Sequence, residues 1–289
     1  MGAWFPQGCA AAEDAYQINA EVFLEVGVEA VVGEVRISVA MVTYHGAKYL
    51  RAQLDSILSQ LQERDELVVS DDGSTDGTAA LLREYQQSDR RIRLLQGPRQ
   101  GLKKNVEHAI AHTRGEYIFL ADQDDIWSPR KVERVMEAFA GRDRPYVVIH
   151  DARVFAGDDT EDIQMESFLR FRSGRPGVIK NIIKNSYIGC CMAFRQELKE
   201  LILPIPASIE MHDQWIGVLS DCKFSKSCFL WEPLLLYRRH DANNSKMVRY
   251  GIGKMLRNRL VFCSCFFVRI LHFAIKKTRK SRKIKKNDD

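Results

Sequence analysis

Residues 119–127 read FLADQDDIW, an apolar run that ends in three carboxylates, Asp122, Asp124 and Asp125. Like charges this close stay ionised together only beside a cation or in open water. A solvated acidic turn and a divalent-metal site both fit the cluster. The metal would be Mg2+ or Mn2+, hard cations that take carboxylate oxygens and keep other positions for water and substrate phosphate. Trp127 and Pro129 are placed to wall such a pocket.

Four other stretches have residue types that could do chemistry. DDGSTDGT, residues 71–78, is dense in turn formers. It reads either as a strand-to-helix turn capped by Ser74, Thr75 or Asp76, or as a ligand loop. In the ligand loop, Gly73 admits close backbone approach, and Asp71 or Asp72 accepts a hydrogen bond from a nucleobase imide. In MHDQW, residues 211–215, Asp213 is either a helix N-cap or a general base that takes a proton from an attacking hydroxyl. YRRHDANNS, residues 237–245, holds Arg238, Arg239 and His240. That cluster is a solvated basic turn or a diphosphate clamp, with His240 an extra metal ligand. Lys103, Lys104 and Asn105 follow GPRQG, where cations and helix N–H groups can meet a phosphate; a plain surface helix start is an equal reading. Cys190 and Cys191 read as buried wall.

These residues need elements to position them. RISVAMVT, 36–43, predicts a buried strand, and AKYLRAQLDSILSQ predicts a helix from the spacing of Leu50, Leu54, Ile57, Leu58 and Leu61. Leu67–Val69 is a short strand, TAALLREYQQ a helix, RIRLLQGP a strand, KKNVEHAIAHT a helix and EYIFLAD a strand. That βαβαβαβ order predicts a doubly wound, mostly parallel sheet flanked by helices. Both acidic loops then sit at strand carboxyl ends, facing one crevice. Beyond Pro145 the pattern loosens into a strand at YVVIHDARVF, a strand and helix start at YIGCCMAFRQEL, a helix after HDQW and a strand at FLWEPLLLYRRH.

The 289 residues suffice for one large α/β domain. Residues 1–34 form an N-terminal extension without a clean period, 35–248 the main domain, and 249–289 a tail. The tail has 13 Lys/Arg against 2 Asp/Glu, about +11, while the body is about −6 within a net charge of +5. Seven cysteines without a C-x-x-C pair argue against a disulfide framework or a zinc site and fit a reducing cytosol. The first residues lack a basic and apolar leader, and Pro6 stands where a myristoylation pattern needs Ser or Thr.

In order along the chain, VTYHGAKYLRAQLDSIL, DELVVSDDGSTDGT, FLADQDDIWSPRKVE, YIGCCMAF, HDQW and YRRHDANNS resemble a family 2 glycosyltransferase with the GT-A fold, over roughly 36–245. DQDDIW with HDQW is similar to the rhamnosyltransferase-like subgroup of bacterial polysaccharide clusters. The resemblance implies inverting transfer of a sugar from a UDP- or dTDP-sugar, dTDP-rhamnose among them, to a saccharide or lipid-linked hydroxyl. It implies that Thr43 and Tyr44 lie against base and ribose and that Asp71 and Asp72 bind the base. It also places the D-x-D motif at Asp122 and Asp124, with Asp124 the direct metal ligand, and the catalytic base at Asp213. His240 falls near metal and diphosphate. His212 departs from the family's frequent Glu at that position, which leaves the environment of Asp213 open.

Rival classes fit less well. A sugar-nucleotide nucleotidyltransferase needs a Gly-rich basic loop where this chain has TYHGAKYL, and a dinucleotide oxidoreductase needs the absent G-x-G-x-x-G. A processive synthase would show several spans and Q-x-x-R-W. A catalytically degenerate nucleotide-sugar-binding scaffold is the non-enzyme alternative. In the tail, LVFCSCFFVRILHFAI, 260–275, has 16 residues broken by Arg269 and His272, short of the ~20 a spanning helix needs. With the KKTRKSRKIKK that follows, it reads as an interfacial anchor on the inner face of the cytoplasmic membrane, or as a helix packed on the domain before a basic tail. No nucleic-acid partner is expected, since no binding fold accompanies the basic run.

Overall fold

The computed structural model describes residues 35–224, 227–240 and 251–287. The N-terminal extension, the DANNS half of YRRHDANNS and the last two residues lie outside the described residues.

Strand β1 (Ile37–Thr43) is buried at every position, as its β-branched run requires. It pairs in parallel with β2 (Glu66–Asp71) and β4 (Tyr117–Ala121), and β2 pairs in parallel with β3 (Ile92–Gln96). Helices α1 (Ala47–Leu58), α2 (Thr78–Ser88) and α3 (Leu102–His112) make the crossovers. Leu50, Leu54 and Ile57 of α1 are buried. The expected βαβαβαβ half is therefore present, with its strand ends close to the expected ones.

The second half mixes directions. After β5 (Ile126–Trp127) and α4 (Lys131–Ala140) come β6 (Val147–Ala156), β7 (Ile163–Met165), α5 (Phe168–Arg172), α6 (Val178–Ile183), β8 (Met192–Arg195), α7 (Lys199–Ile202), α8 (His212–Lys223), β9 (Cys228–Arg239) and α9 (Ile252–Asn287). The sheet order is β3-β2-β1-β4-β8-β6-β9-β5, with β7 on β6. The pairs β4–β8, β6–β8 and β5–β9 are antiparallel, and β6–β9 is parallel. The sheet curls, so its far edge returns over α1. Trp127 N donates to Ser56 Oγ at 3.0 Å, and the Phe119 and Trp127 rings lie 5.8 Å apart. Trp127, expected to wall a pocket, is instead core beneath it, under the Lys131 ammonium at 3.9 Å from the ring centroid.

Helix α8 is seated by one close approach. A Cβ on Gly217 would lie 2.5 Å from Tyr187 Cζ, so the ring of Tyr187 presses directly on the helix backbone. The same ring's hydroxyl donates to Asp221 Oδ2 at 2.6 Å. This contact locks the helix that carries Asp213 against residues 185–191.

Helix α9 packs on the domain through one face. Phe262 and Phe266 are buried, and Phe262 meets Trp215 edge to face. The Arg269 guanidinium donates to the carbonyls of Leu201, Leu203 and Pro204. Of the two readings of the tail, packing on the domain is therefore present.

Gly217→Ala is expected to lower stability by about 1–3 kcal/mol, the usual cost of overpacking. The measurement is the thermal midpoint. An unchanged midpoint would mean that the Tyr187–Gly217 contact is loose.

Candidate functional site

The carboxyl ends of β1, β2 and β4 make one floor. Asp71 is used there to shape its own loop. Its Oδ1 accepts from Thr43 Oγ1 at 2.9 Å and from Ser74 Oγ at 2.5 Å, while Oδ2 accepts from Ser74 N at 3.0 Å. Asp72 accepts from the backbone N–H groups of Arg99 (2.6 Å) and Gly101 (3.0 Å). Between them the two carboxylates hold three loop segments in register. Gly73 takes φ +95°, a left-handed value that glycine tolerates, and a Cβ there would meet Arg99 Nε at 2.8 Å. Asp76, one of the expected capping residues, accepts from Thr78 N and Oγ1 at the start of α2.

Tyr44 is more than half exposed, and its ring stacks on His45 with centroids 4.1 Å apart. Its backbone is clamped by Gln123, whose Oε1 accepts from Tyr44 N at 2.8 Å and whose Nε2 donates to Tyr44 O at 3.0 Å. The middle residue of DQD thus ties the acidic turn to the end of β1. Sequence reasoning did not single out Gln123; its place between two aspartates was the available signal.

Lys103, expected near the nucleotide, donates its ammonium to the carbonyls of Ala207 and Ile209. It straps α3 to the loop that precedes α8.

The acidic turn is held from behind by Arg238. This side chain is buried, with its Nε on Asp124 O at 2.8 Å and another N–H on Gly157 O. Its backbone N–H donates to Asp125 Oδ1 at 3.1 Å. Arg238 is therefore a brace beneath the turn. Arg239 is the last residue of β9, and its carbonyl accepts from Gly157 N. His240 Nε2 lies 2.8 Å from Asp124 Oδ2, so these two expected metal ligands converge.

Asp122 and Asp125 form a second, deeper group with Cys190, their ligand atoms lying within 4.8 Å of one another. Burial, with Asp124 and Asp213 close by, pushes the Asp122 carboxyl up to about 7. Burial, with Asp124 and Asp122 close by, pushes Asp125 well above the carboxylate range. Its Oδ2 is buried and accepts no hydrogen bond among the described residues. The Cys190 thiol is pushed well up by its hydrogen bond with Cys191 and by burial, so without a metal it is a protonated thiol. Lys131 is fully buried, donates to Cys190 O at 2.9 Å, and is lowered to about 8 by burial. The donor set is thus oxygen-rich, crowded and short of positive charge, which fits a hard divalent cation.

Asp213 is buried in the first turn of α8, where the helix dipole favours a negative charge. It is not the cap, since Met211 holds the N-cap position. Its Oδ1 accepts from Asn185 Nδ2 at 3.1 Å and from Gln214 N at 2.6 Å. Asn185 was missed in the sequence, because nothing local links residue 185 to residue 213. His212 turns away, with Nε2 2.7 Å from where a Cβ on Gly189 would stand, and burial pushes its pKa down, so it is a neutral neighbour.

The family model described as Glycosyl transferase family 2 matches residues 38–202, which cover the nucleotide-side loops and the acidic turn. The chain belongs to glycosyl transferase family 2. It is 28% identical over 216 residues to the uncharacterized glycosyltransferase alr2836 of Nostoc, covering 72% of this chain and 66% of that protein. It is 25% identical over 191 residues to TuaG of Bacillus subtilis, covering 63% and 71%; the provisional description of TuaG is a teichuronic acid biosynthesis glycosyltransferase. In fold it is similar to S. aureus TarS residues 1–349 in complex with UDP-GlcNAc, with a TM-score of 0.62, 16% identity, and coverage of 79% and 66%. The chain thus spans just under two thirds of alr2836 and of that TarS chain. Thr43, Tyr44, Asp71, Asp72, Asp122 and Asp124 lie at the ends of β1, β2 and β4, and His240, beyond the family match, reaches Asp124, in the GT-A-type mixed α/β architecture that the sequence led us to expect.

A raised pKa at Asp122 means that the folded protein holds that proton better than the unfolded chain does. The group favours folding at acid pH, and this advantage fades as pH climbs from 3.8 to about 7. A cation must displace the same proton. The rise in thermal midpoint caused by Mn2+ is therefore expected to be larger at pH about 8 than at pH about 5.5, and to shrink in Asp122→Asn. Equal shifts at both pH values would remove Asp122 from the metal site.

Proposed function

We propose that this family 2 glycosyltransferase is an inverting, metal-dependent enzyme. It would move a sugar from a UDP- or dTDP-sugar, dTDP-rhamnose included, to a hydroxyl of a saccharide or lipid-linked acceptor in bacterial surface polysaccharide synthesis. The observation that carries this reading is the pairing of a buried, positioned Asp213 with the Asp122–Asp124 turn, close enough for Asp213 to help raise Asp122. A base and an acidic cluster beside it are what a single displacement on a nucleotide sugar requires. The polysaccharide context rests on the relationship to TuaG. The rhamnosyl subgroup rests on DQDDIW with HDQW.

Each residue then has a role. The Tyr44 ring offers the nucleobase an exposed aromatic face, and Thr43, Asp71 and Asp72 hold the loops around it. Asp213 Oδ1 is occupied by Asn185 and Gln214, which leaves Oδ2 to take the proton of the acceptor hydroxyl. That oxygen attacks the anomeric carbon opposite the leaving group. The new glycosidic bond forms as the bond to the nucleoside diphosphate breaks, and the centre inverts, just as a single displacement inverts it in glycosidases. A divalent Mg2+ or Mn2+ held by Asp124 and Asp122, with His240 adjoining, would supply positive charge to the diphosphate. Arg239, at the end of β9, is the protein's own cation for that leaving group. The active domain would work at the inner face of the cytoplasmic membrane, with the tail at the lipid surface.

Two variants test the assignment. With a panel of UDP- and dTDP-sugars, Asp213→Asn is expected to lower turnover by roughly 10²–10⁴-fold while donor-induced thermal stabilisation is kept. Asp124→Ala is expected to lose metal-dependent stabilisation by the donor. Turnover untouched in Asp213→Asn would leave a nucleotide-sugar-binding scaffold as the better description.

A further inference from the structure

The packed face of α9 accounts for only part of its apolar surface. Leu256, Leu260, Phe267, Val268 and Leu271 are all more than half exposed, and the Ile252–Lys276 stretch is by length and composition apolar enough to cross a membrane. The helix cannot both cross a bilayer and keep Phe262, Phe266 and Arg269 on the domain. The docked arrangement instead leaves an apolar stripe pointing outward along the domain's flank.

That stripe has a neighbour on the catalytic domain. Helix α6 contacts α9, and Arg259 of α9 donates to the Ile183 carbonyl at 2.6 Å. Beside this junction Ile179 and Ile183 of α6 stand out at 76% and 55% exposure, joined by Trp231 of β9. Apolar side chains this exposed, side by side on a folded domain, mark an interaction surface. They are interleaved with cations. Arg170, Arg175, Lys180 and Lys184 line the same open depression, of about 1010 Å³, with Trp231 at its edge. Among the described residues none of these four is in an ion pair with a carboxylate. Lys180 is lowered to about 8, first by burial and then by Arg175, Lys184 and Arg172, which shows cations crowded together without an anion to offset them.

We propose that α6, its flanking Trp231 and the outer stripe of α9 form one docking face for an anionic phospholipid bilayer. The apolar side chains enter the acyl boundary, and the Lys and Arg side chains meet the phosphates. The partner follows from the alternation: a protein groove would take apolar groups or anions at separate points, whereas a lipid surface presents both everywhere. Asn185, which holds the Asp213 carboxylate, comes two residues after Ile183 of this face. This deepens the membrane reading given above and does not depend on donor identity.

The test is flotation of the full chain with vesicles of phosphatidylcholine alone and with about one third phosphatidylglycerol. Capture is expected on the anionic vesicles and to be weak on phosphatidylcholine. Ile179→Ser/Ile183→Ser and Arg175→Glu/Lys180→Glu are each expected to lower capture by about tenfold or more with α9 intact. Leu260→Ser/Phe267→Ser is expected to do the same from the other segment. Thermal midpoints and donor hydrolysis, measured on the same preparations, verify that the variants fold and keep the donor site. Wild-type capture by both α6 variants would assign the membrane to α9 alone and overturn the shared face. Self-association without vesicle capture would overturn it in favour of a second copy of the chain. A thermal shift with inorganic phosphate, again without capture, would reduce the cleft to an anion site. In each of these cases intact donor hydrolysis leaves the transferase reading standing.

Discussion

The structure depends on how it holds too many carboxylates at the end of one central strand. Asp122, Asp124 and Asp125 follow β4 with no room to separate, and Asp213 comes near from α8. Charges desolvated this way are costly unless neutralised. The fold neutralises them only in part. Arg238 supports the turn through the Asp124 carbonyl and the Asp125 carboxyl, and Lys131 lies behind, fully buried, with its ammonium on Cys190 O. What remains is a raised Asp122 and an unpartnered Asp125 Oδ2. A site left short of positive charge in this way is suited to a cation.

The two halves of the sheet divide the work around that turn. The parallel half, β3-β2-β1-β4, brings strand ends and their loops together and leaves an aromatic face at Tyr44. The mixed half carries Asn185, Asp213 and the Arg238 brace. Several side chains join the halves, among them Lys103 to the loop before α8, Lys199 to the Thr113 carbonyl, Arg195 to the Tyr117 hydroxyl, Ser56 to Trp127 N and Arg238 to the acidic turn. These contacts set the position of one half against the other, and in an active site near-ångström misplacement costs catalysis heavily.

Helix α9 shows one element serving two surfaces. Its inner face is settled by Phe262, Phe266 and the Arg269 bonds to three carbonyls at the end of α7. Those carbonyls are left open where α7 ends, so the guanidinium satisfies groups that would otherwise need water. Its outer face stays apolar and adjoins α6.

The sequence by itself determined the parallel half and the acidic turn. Fully apolar β-branched runs alternating with amphipathic helices admit few other arrangements, and a carboxylate triplet after such a run is visible in one dimension. It also placed Asp213 near a helix start, and the chemistry of the family followed from six short stretches in order. Only the tertiary structure decided that β8, β6 and β9 mix directions, because that pairing depends on contacts between segments far apart in sequence. The same holds for the basic cluster, where Arg238 is buried under the turn and His240, two residues on, meets the Asp124 carboxylate. Asn185 with Asp213, Gln123 with Tyr44, and Lys103 with Ala207 are each separated by 28 residues or more. Local patterning has no term for partners that far apart, so only the closed fold, where each donor meets an acceptor, could reveal them.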